Sequence, residues 1–168
     1  MGRQIQDTAF SDFKDMEANG FSGFHTIAEL NTDPSSIPAL PGVYMVLYRG
    51  YMTPSFLKKN NAGTGEDLSE NIDLLKGRWI AQSVVLYIGK TSGMGYTATL
   101  QHRIRELLAF GQGNAGHHRE GHAIWQLSNS GDLMICWKVL DQENPEQVET
   151  AMIETFQKQF GKKPFANS

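Results

Sequence analysis

Leu86-Tyr87-Ile88-Gly89-Lys90-Thr91 (residues 86–91) is the stretch whose reading decides the fold. Val84, Val85 and Leu86 lead into it, and this apolar, partly β-branched run predicts a short strand over 84–88. Gly89 reads as its end, which leaves Lys90 just beyond, where loops carry chemistry. A run of the same kind, Val43-Tyr44-Met45-Val46-Leu47-Tyr48, comes after Pro41-Gly42 and predicts a strand over 43–48. Asn129-Ser130-Gly131 turns into a third, over 133–139. Two of these strands carry a tyrosine near a glycine, and the rest of the chain is organised around that pairing.

Helices fill the remainder. Residues 1 to about 20 read as a polar amphipathic helix with Phe10, Phe13 and Met16 at helical spacing, broken by Gly20-Phe21-Ser22-Gly23-Phe24. His25 to Leu30 is a further short element, and Asn31 to Pro41 a linker. Thr97 or Thr99 caps a helix over about 98–110, with the stripe Leu100, Ile104, Leu107 and Leu108. His122 to Leu127 predicts a second short helix. Asn144 caps, Pro145 opens and Gly161 closes the last one. The expected organisation is a helical extension over 1–40 packed on a domain over 41–168, with an insertion at 49–80. That insertion is long and polar, an unusual length for a hairpin connection.

The 168 residues suit one domain with a full core, and 40% hydrophobic with 20% charged residues describes an ordinary globular chain. A net charge of −3 gives no global field for nucleic acid. The middle is locally basic, however: from Lys76 to His122 stand Lys76, Arg78, Lys90, Arg103, Arg105 and Arg119 against Glu106 and Glu120. The lone Cys136, between Ile135 and Trp137, reads as a buried strand thiol and suits a reducing compartment. No run reaches the ~20 apolar residues that span a bilayer, and the polar N-terminus is unlike a signal peptide, so the expected location is cytoplasmic with no membrane partner.

Three motif readings fail. Gly89-Lys90-Thr91 lacks the upstream glycine of a P-loop, because Val84 occupies that place. Gly93-Met94-Gly95 lacks the third glycine of a dinucleotide fingerprint. His117-His118-Arg119-Glu120-Gly121-His122 matches neither zinc-helix spacing, and no cysteine pair lies nearby. The residues that survive are dispersed. Glu149 shares the face of Met152, Ile153, Phe156 and Phe160 on the last helix, where a carboxylate is costly unless paired or bound to a cation. Arg103 flanks the stripe of the earlier helix.

In order, these residues resemble the GIY-YIG nuclease superfamily of homing endonucleases, some restriction enzymes and a repair incision domain. Gly42-Val43-Tyr44 and Tyr87-Ile88-Gly89 are similar to its two tripeptides, Leu100-Gln101-His102-Arg103 to its Leu-x-x-Arg, and Glu149 with Ile153 to its glutamate helix. Pro164-Phe165-Ala166-Asn167 is similar to its terminal Pro-x-x-Asn. The Gly20 to Leu30 segment and the Phe110-Gly111-Gln112-Gly113 turn resemble a lesser-known branch of it. Two departures stand out: 42 residues, Met45 to Leu86, separate the tripeptides, and Leu107 stands where members often carry His or Tyr. His117 or His118 is the candidate to reach that space from the next loop.

The resemblance implies an α/β (α+β) fold, a small three-stranded antiparallel sheet flanked by helices. It implies a metal-dependent endonuclease hydrolysing DNA phosphodiesters. Glu149 is expected to hold one Mg²⁺ or Mn²⁺, which keeps several waters. Arg103 is expected to clamp the phosphate by its planar fork. Tyr44 is the expected base, with Tyr87 beside it and Lys90 stabilising a phenolate whose ordinary pKa is about 10. Asn167 is expected to tie the tail back and close the site. Arg105, His117 and His118 are the substrate-binding candidates. The alternative is a non-catalytic nucleic-acid-binding module on the same fold. Within 49–80, Lys58, Lys59, Lys76 and Arg78 offer phosphate contacts, against a solvated flap carrying Glu66, Asp67, Glu70 and Asp73. Trp79 and Trp125 stack on bases or pack in the core.

Overall fold

The structure, a computed structural model, describes residues 10–50, 52–115 and 118–168, with Tyr96 described at its backbone. In chain order come α1 (Phe13–Ala18), β1 (Ser22–Thr26), α2 (Ile27–Thr32), β2 (Gly42–Leu47), α3 (Ile72–Arg78) and β3 (Val85–Lys90). After these stand α4 (Leu100–Gly111), a 3-10 turn at His122–Gln126, β4 (Met134–Val139) and α5 (Pro145–Phe160). Among the described residues the fold is mixed α+β: one open antiparallel sheet of four strands, ordered β1-β4-β2-β3, with five α-helices.

Three expectations are corrected. The sheet has four strands rather than three, and the extra one, β1, occupies the segment that reads as a helix breaker. Its alternation is hidden because Gly23 and Phe24 adopt φ of +95° and +57° and the register slips between Gly23 and His25. Gly23 is required there, since a Cβ would lie 2.8 Å from the Trp137 ring. The third strand of the chain does not stop at Gly89: Lys90 is within it, paired with Val43. The insertion also holds α3, begun by Asn71 accepting the Asp73 N–H, which its charged surface conceals from periodicity.

β2 is buried along its whole length between β4 and β3. Tyr44, Val46, Leu86, Tyr87, Ile135 and Trp137 pack with α2, α4 and the 3-10 turn. Val43, Met45, Val85, Ile88 and Cys136 pack with Met16 of α1 and Met152 and Phe156 of α5. Strand periodicity therefore sends the two tyrosines toward α4, while Ile88 and Lys90 fall on the alternate positions that face α5. The outer edge of β3 is covered by the tail. Ala166 N–H donates to the Leu86 carbonyl (2.8 Å), and the Asn167 amide both accepts from Ile88 N–H (2.9 Å) and donates to its carbonyl (3.0 Å). Among the described residues no helix is long and apolar enough to cross a membrane.

Candidate active site

Tyr44 lies opposite Gly89 in the β2–β3 register. A Cβ at residue 89 would sit 2.3 Å from Tyr44 Cζ and 2.6 Å from its hydroxyl, so the phenol crosses β3 through the space glycine leaves. Tyr87 and His118 complete a triangle of rings, with centroids 6.2 Å (Tyr44–Tyr87), 6.2 Å (Tyr44–His118) and 5.9 Å (Tyr87–His118) apart. The loop bearing His118 approaches this closely because of Gly121, at φ +80°, where a Cβ would lie 2.8 Å from Tyr87 Cε1.

His118 Nδ1 lies 2.9 Å from the Glu120 carbonyl, which can only accept, so Nδ1 carries the hydrogen. Nε2 is then the lone-pair nitrogen, and Tyr44 Oη–H donates to it at 2.6 Å. Both residues are 0% exposed and Tyr87 is 3% exposed. Burial, with Tyr87 adding to it and Arg103 opposing, pushes the Tyr44 phenol well above its ordinary range. Burial likewise raises Tyr87, again against Arg103. Burial, reinforced by the Arg103 charge, lowers His118 to about 4, so its imidazole is neutral at physiological pH.

Arg103 stands at the edge of the α4 stripe and donates Nη1–H to Glu106 Oε2 (3.0 Å). Its side chain also favours the Tyr44 phenolate by charge and hydrogen bonding. Glu149, on the second turn of α5, has Lys90 Nζ 3.9 Å from Oε1. Burial raises its carboxyl above the usual range; Lys90 opposes this, while Glu120 and Glu146 add to it. The Glu149 charge acts in turn on both phenols. The side chains of Arg103, Glu149 and Lys90 are 18%, 19% and 27% exposed, so this trio forms the solvent-reached rim over a sealed ring triangle.

Tyr44, Tyr87, Arg103 and Glu149 thus share one neighbourhood. Lys90 belongs to it through Glu149 rather than the phenols, which its place in the strand explains; the cation acting on both phenols is Arg103. Asn167 spends its amide on Ile88 and holds β3 from outside. Arg105 is exposed and about 200° around α4 from Arg103, beside a surface groove lined by Ala39, Gln101 and His102. His117 lies outside the described residues. His118, expected on the substrate, instead takes the Tyr44 hydroxyl. Trp125 is core, 7% exposed, and Trp79 packs edge-on against Tyr48, Phe56 and Phe165. Sequence reading misses Glu106 as partner of Arg103, although its i+3 spacing on α4 is a usable signal. It has no signal for Gly121 as the seat of Tyr87.

Among the described residues no group of three or more His, Cys, Asp or Glu side chains is arranged to hold a metal ion. Glu149 offers a single carboxylate in the negative field of Glu120 and Glu146. That donor set fits Mg²⁺, which binds through one or two carboxylates with waters and substrate phosphate.

The neutral, buried His118 has a consequence in solution. Its pKa is about 4 folded and about 6.5 unfolded, so between those values the unfolded chain binds more protons. Stability is therefore present above about pH 6.5 and lost as pH falls toward 4. Denaturant melts at pH 7.5 and 5.0 should show the wild type losing about 2 kcal/mol more than His118→Asn over that interval.

No protein-family model, curated protein or solved structure matches this chain.

Proposed function

We propose that this chain is a metal-dependent endonuclease that hydrolyses DNA phosphodiesters through a single-metal site of GIY-YIG type. The observation that carries the reading is the mutual influence of Tyr44, Tyr87, Arg103 and Glu149, four groups from β2, β3, α4 and α5. A scissile phosphate lies at the rim, its charge met by Arg103 and Lys90. A Mg²⁺ or Mn²⁺ on Glu149, when bound, supplies Lewis-acid stabilisation of the charge building on phosphate oxygen. Substrate binding opens the Tyr87 side of the ring triangle, keeps the Tyr44–His118 hydrogen bond and gives water access to Tyr44. As water oxygen bonds to phosphorus and the P–O bond to the leaving strand breaks, the water proton passes to Tyr44 Oη and the Tyr44 proton to His118 Nε2. The leaving oxygen takes its proton from solvent. This route spares Tyr44 the standing phenolate that its burial disfavours, because the acceptor nitrogen of His118 already faces the hydroxyl.

One observation favours a second reading, a binding module without turnover: Tyr44 has no solvent exposure beneath His118. Supercoiled, branched and single-stranded DNA incubated with the protein and Mg²⁺ or Mn²⁺ separates the two. Nicking that stops on chelation supports the nuclease. Chelator-independent, salt-sensitive binding with no cleavage of any of the three overturns it in favour of the module.

A further inference from the structure

The insertion is bonded along residues 119–128, the stretch that leads out of His118. Leu57 N–H donates to the Gln126 carbonyl (2.7 Å), Ser128 N–H donates to the Ser55 carbonyl (2.9 Å), and Phe56 bridges Leu127. Gln126 is fully buried: its Oε1 accepts from Glu70 N–H (2.9 Å) and its amide donates to the carbonyls of Leu57 and Glu70 (2.8 Å each). Asn60 Nδ2–H donates to the His122 carbonyl (2.8 Å). At the rim, Glu70 Oε2 lies 2.7 Å from Arg78 and 3.1 Å from His122 Nε2, and Arg119 pairs with Glu66 at 2.8 Å. Arg78 and Arg119, two cations of the locally basic middle, thus face carboxylates of the insertion itself.

These bonds fall on Arg119, His122 and residues 126–128, and the loop at 118–121 that they anchor has neither helix nor strand of its own. An imidazole 2.6 Å from a phenol needs a fixed backbone, and an irregular loop supplies none by itself. We infer that residues 56–78 of the insertion are the scaffold that positions His118 against Tyr44, with Asn60, Glu70 and Gln126 as positioning residues. On α4 Leu107 is committed to the core, so the imidazole beside Tyr44 comes from the loop, and the long insertion is what makes that loop rigid enough. The groups that surround His118 are Tyr44 from β2, Tyr87 from β3, Arg103 and Glu106 from α4, and the Glu120 carbonyl of its own loop. Releasing the scaffold lets water reach this imidazole.

The test uses the full chain with ¹⁵N-labelled histidine and reads the side-chain nitrogens by NMR. In the wild type, His118 keeps Nε2 unprotonated down to pH 5. In Glu70→Ala, Asn60→Ala and Gln126→Ala its midpoint rises by at least about one unit toward 6.5, while amide protection in β2 and α5 is retained. Should Gln126→Ala fail to fold, the other two variants decide alone. An unchanged His118 titration in Glu70→Ala and Asn60→Ala overturns the inference. A kinetic arm rests on the nuclease reading: kcat falls about tenfold at unchanged KM. Since the NMR arm needs no turnover, absence of cleavage would defeat that reading and leave the scaffold decided on its own data.

Discussion

Glu149→Gln should lower metal-dependent cleavage about 10³-fold and at the same time raise the melting temperature. The activity loss comes from removing the one carboxylate offered to the cation, an electrostatic contribution of the size seen when charge stabilisation is deleted from an active site. The gain in stability comes from the sign of the Glu149 shift. Its folded pKa is raised by burial, so the ionised form is disfavoured in the folded chain at neutral pH relative to the unfolded one. An isosteric amide removes that penalty. Cleavage by wild type and variant, with and without chelator, and thermal melts at pH 7.5 check both halves. A variant that cleaves like wild type identifies the activity as a contaminant, and a variant that melts earlier shows that Lys90 and Glu149 form a structural pair instead.

The second large effect is steric. Gly89→Ala places a methyl 2.3 Å from Tyr44 Cζ, against a ring already closed in by Tyr87 and His118. Something must move, and the phenol is the group in the way. Overpacking of this kind costs about 1–3 kcal/mol. A displacement of about 1 Å at a reacting group costs about 100-fold in rate. Gly77→Ala is the control: it lies in α3 with open space around it, and alanine suits a helix better than glycine. Denaturant melts and single-turnover cleavage should separate the two glycines, with Gly77→Ala as stable as wild type or more so and fully active. Equal behaviour would mean that the Tyr44 ring is free to yield.

The parts legible in the sequence are those where one residue type reports one environment. β2 is apolar along its length and α5 has its Asn144 cap, its Pro145 start and its Gly161 stop at φ +82°, so both stand where the pattern puts them. Cys136 is buried in β4 as its neighbours suggest. β1 is illegible because two left-handed residues and a bulge erase its alternation. The site divides the same way. Tyr44, Tyr87, Arg103 and Glu149 are found through an ordered set of short motifs, but Tyr44 and His118 are 74 positions apart, and nothing local to His118 distinguishes it from His122. Burial is the property that separates them, and burial of a histidine in an irregular loop is decided by tertiary contacts alone. Lys90 falls among the phenols in a sequence reading because Gly89 resembles a strand end, whereas the strand continues through it.

The two margins of the sheet differ from its middle in a way that bears on recognition. Along β3 the Ile88 amide and carbonyl are already satisfied by the Asn167 side chain, and along β1 the backbone is bent by its left-handed pair. Neither margin offers a straight row of vacant peptide groups, so recruitment of an extended peptide or of a second copy by strand addition is blocked on both sides. In the proposed reading, recognition falls instead to the solvent-reached side chains of Lys90 on β3, Arg103 on α4 and Glu149 on α5.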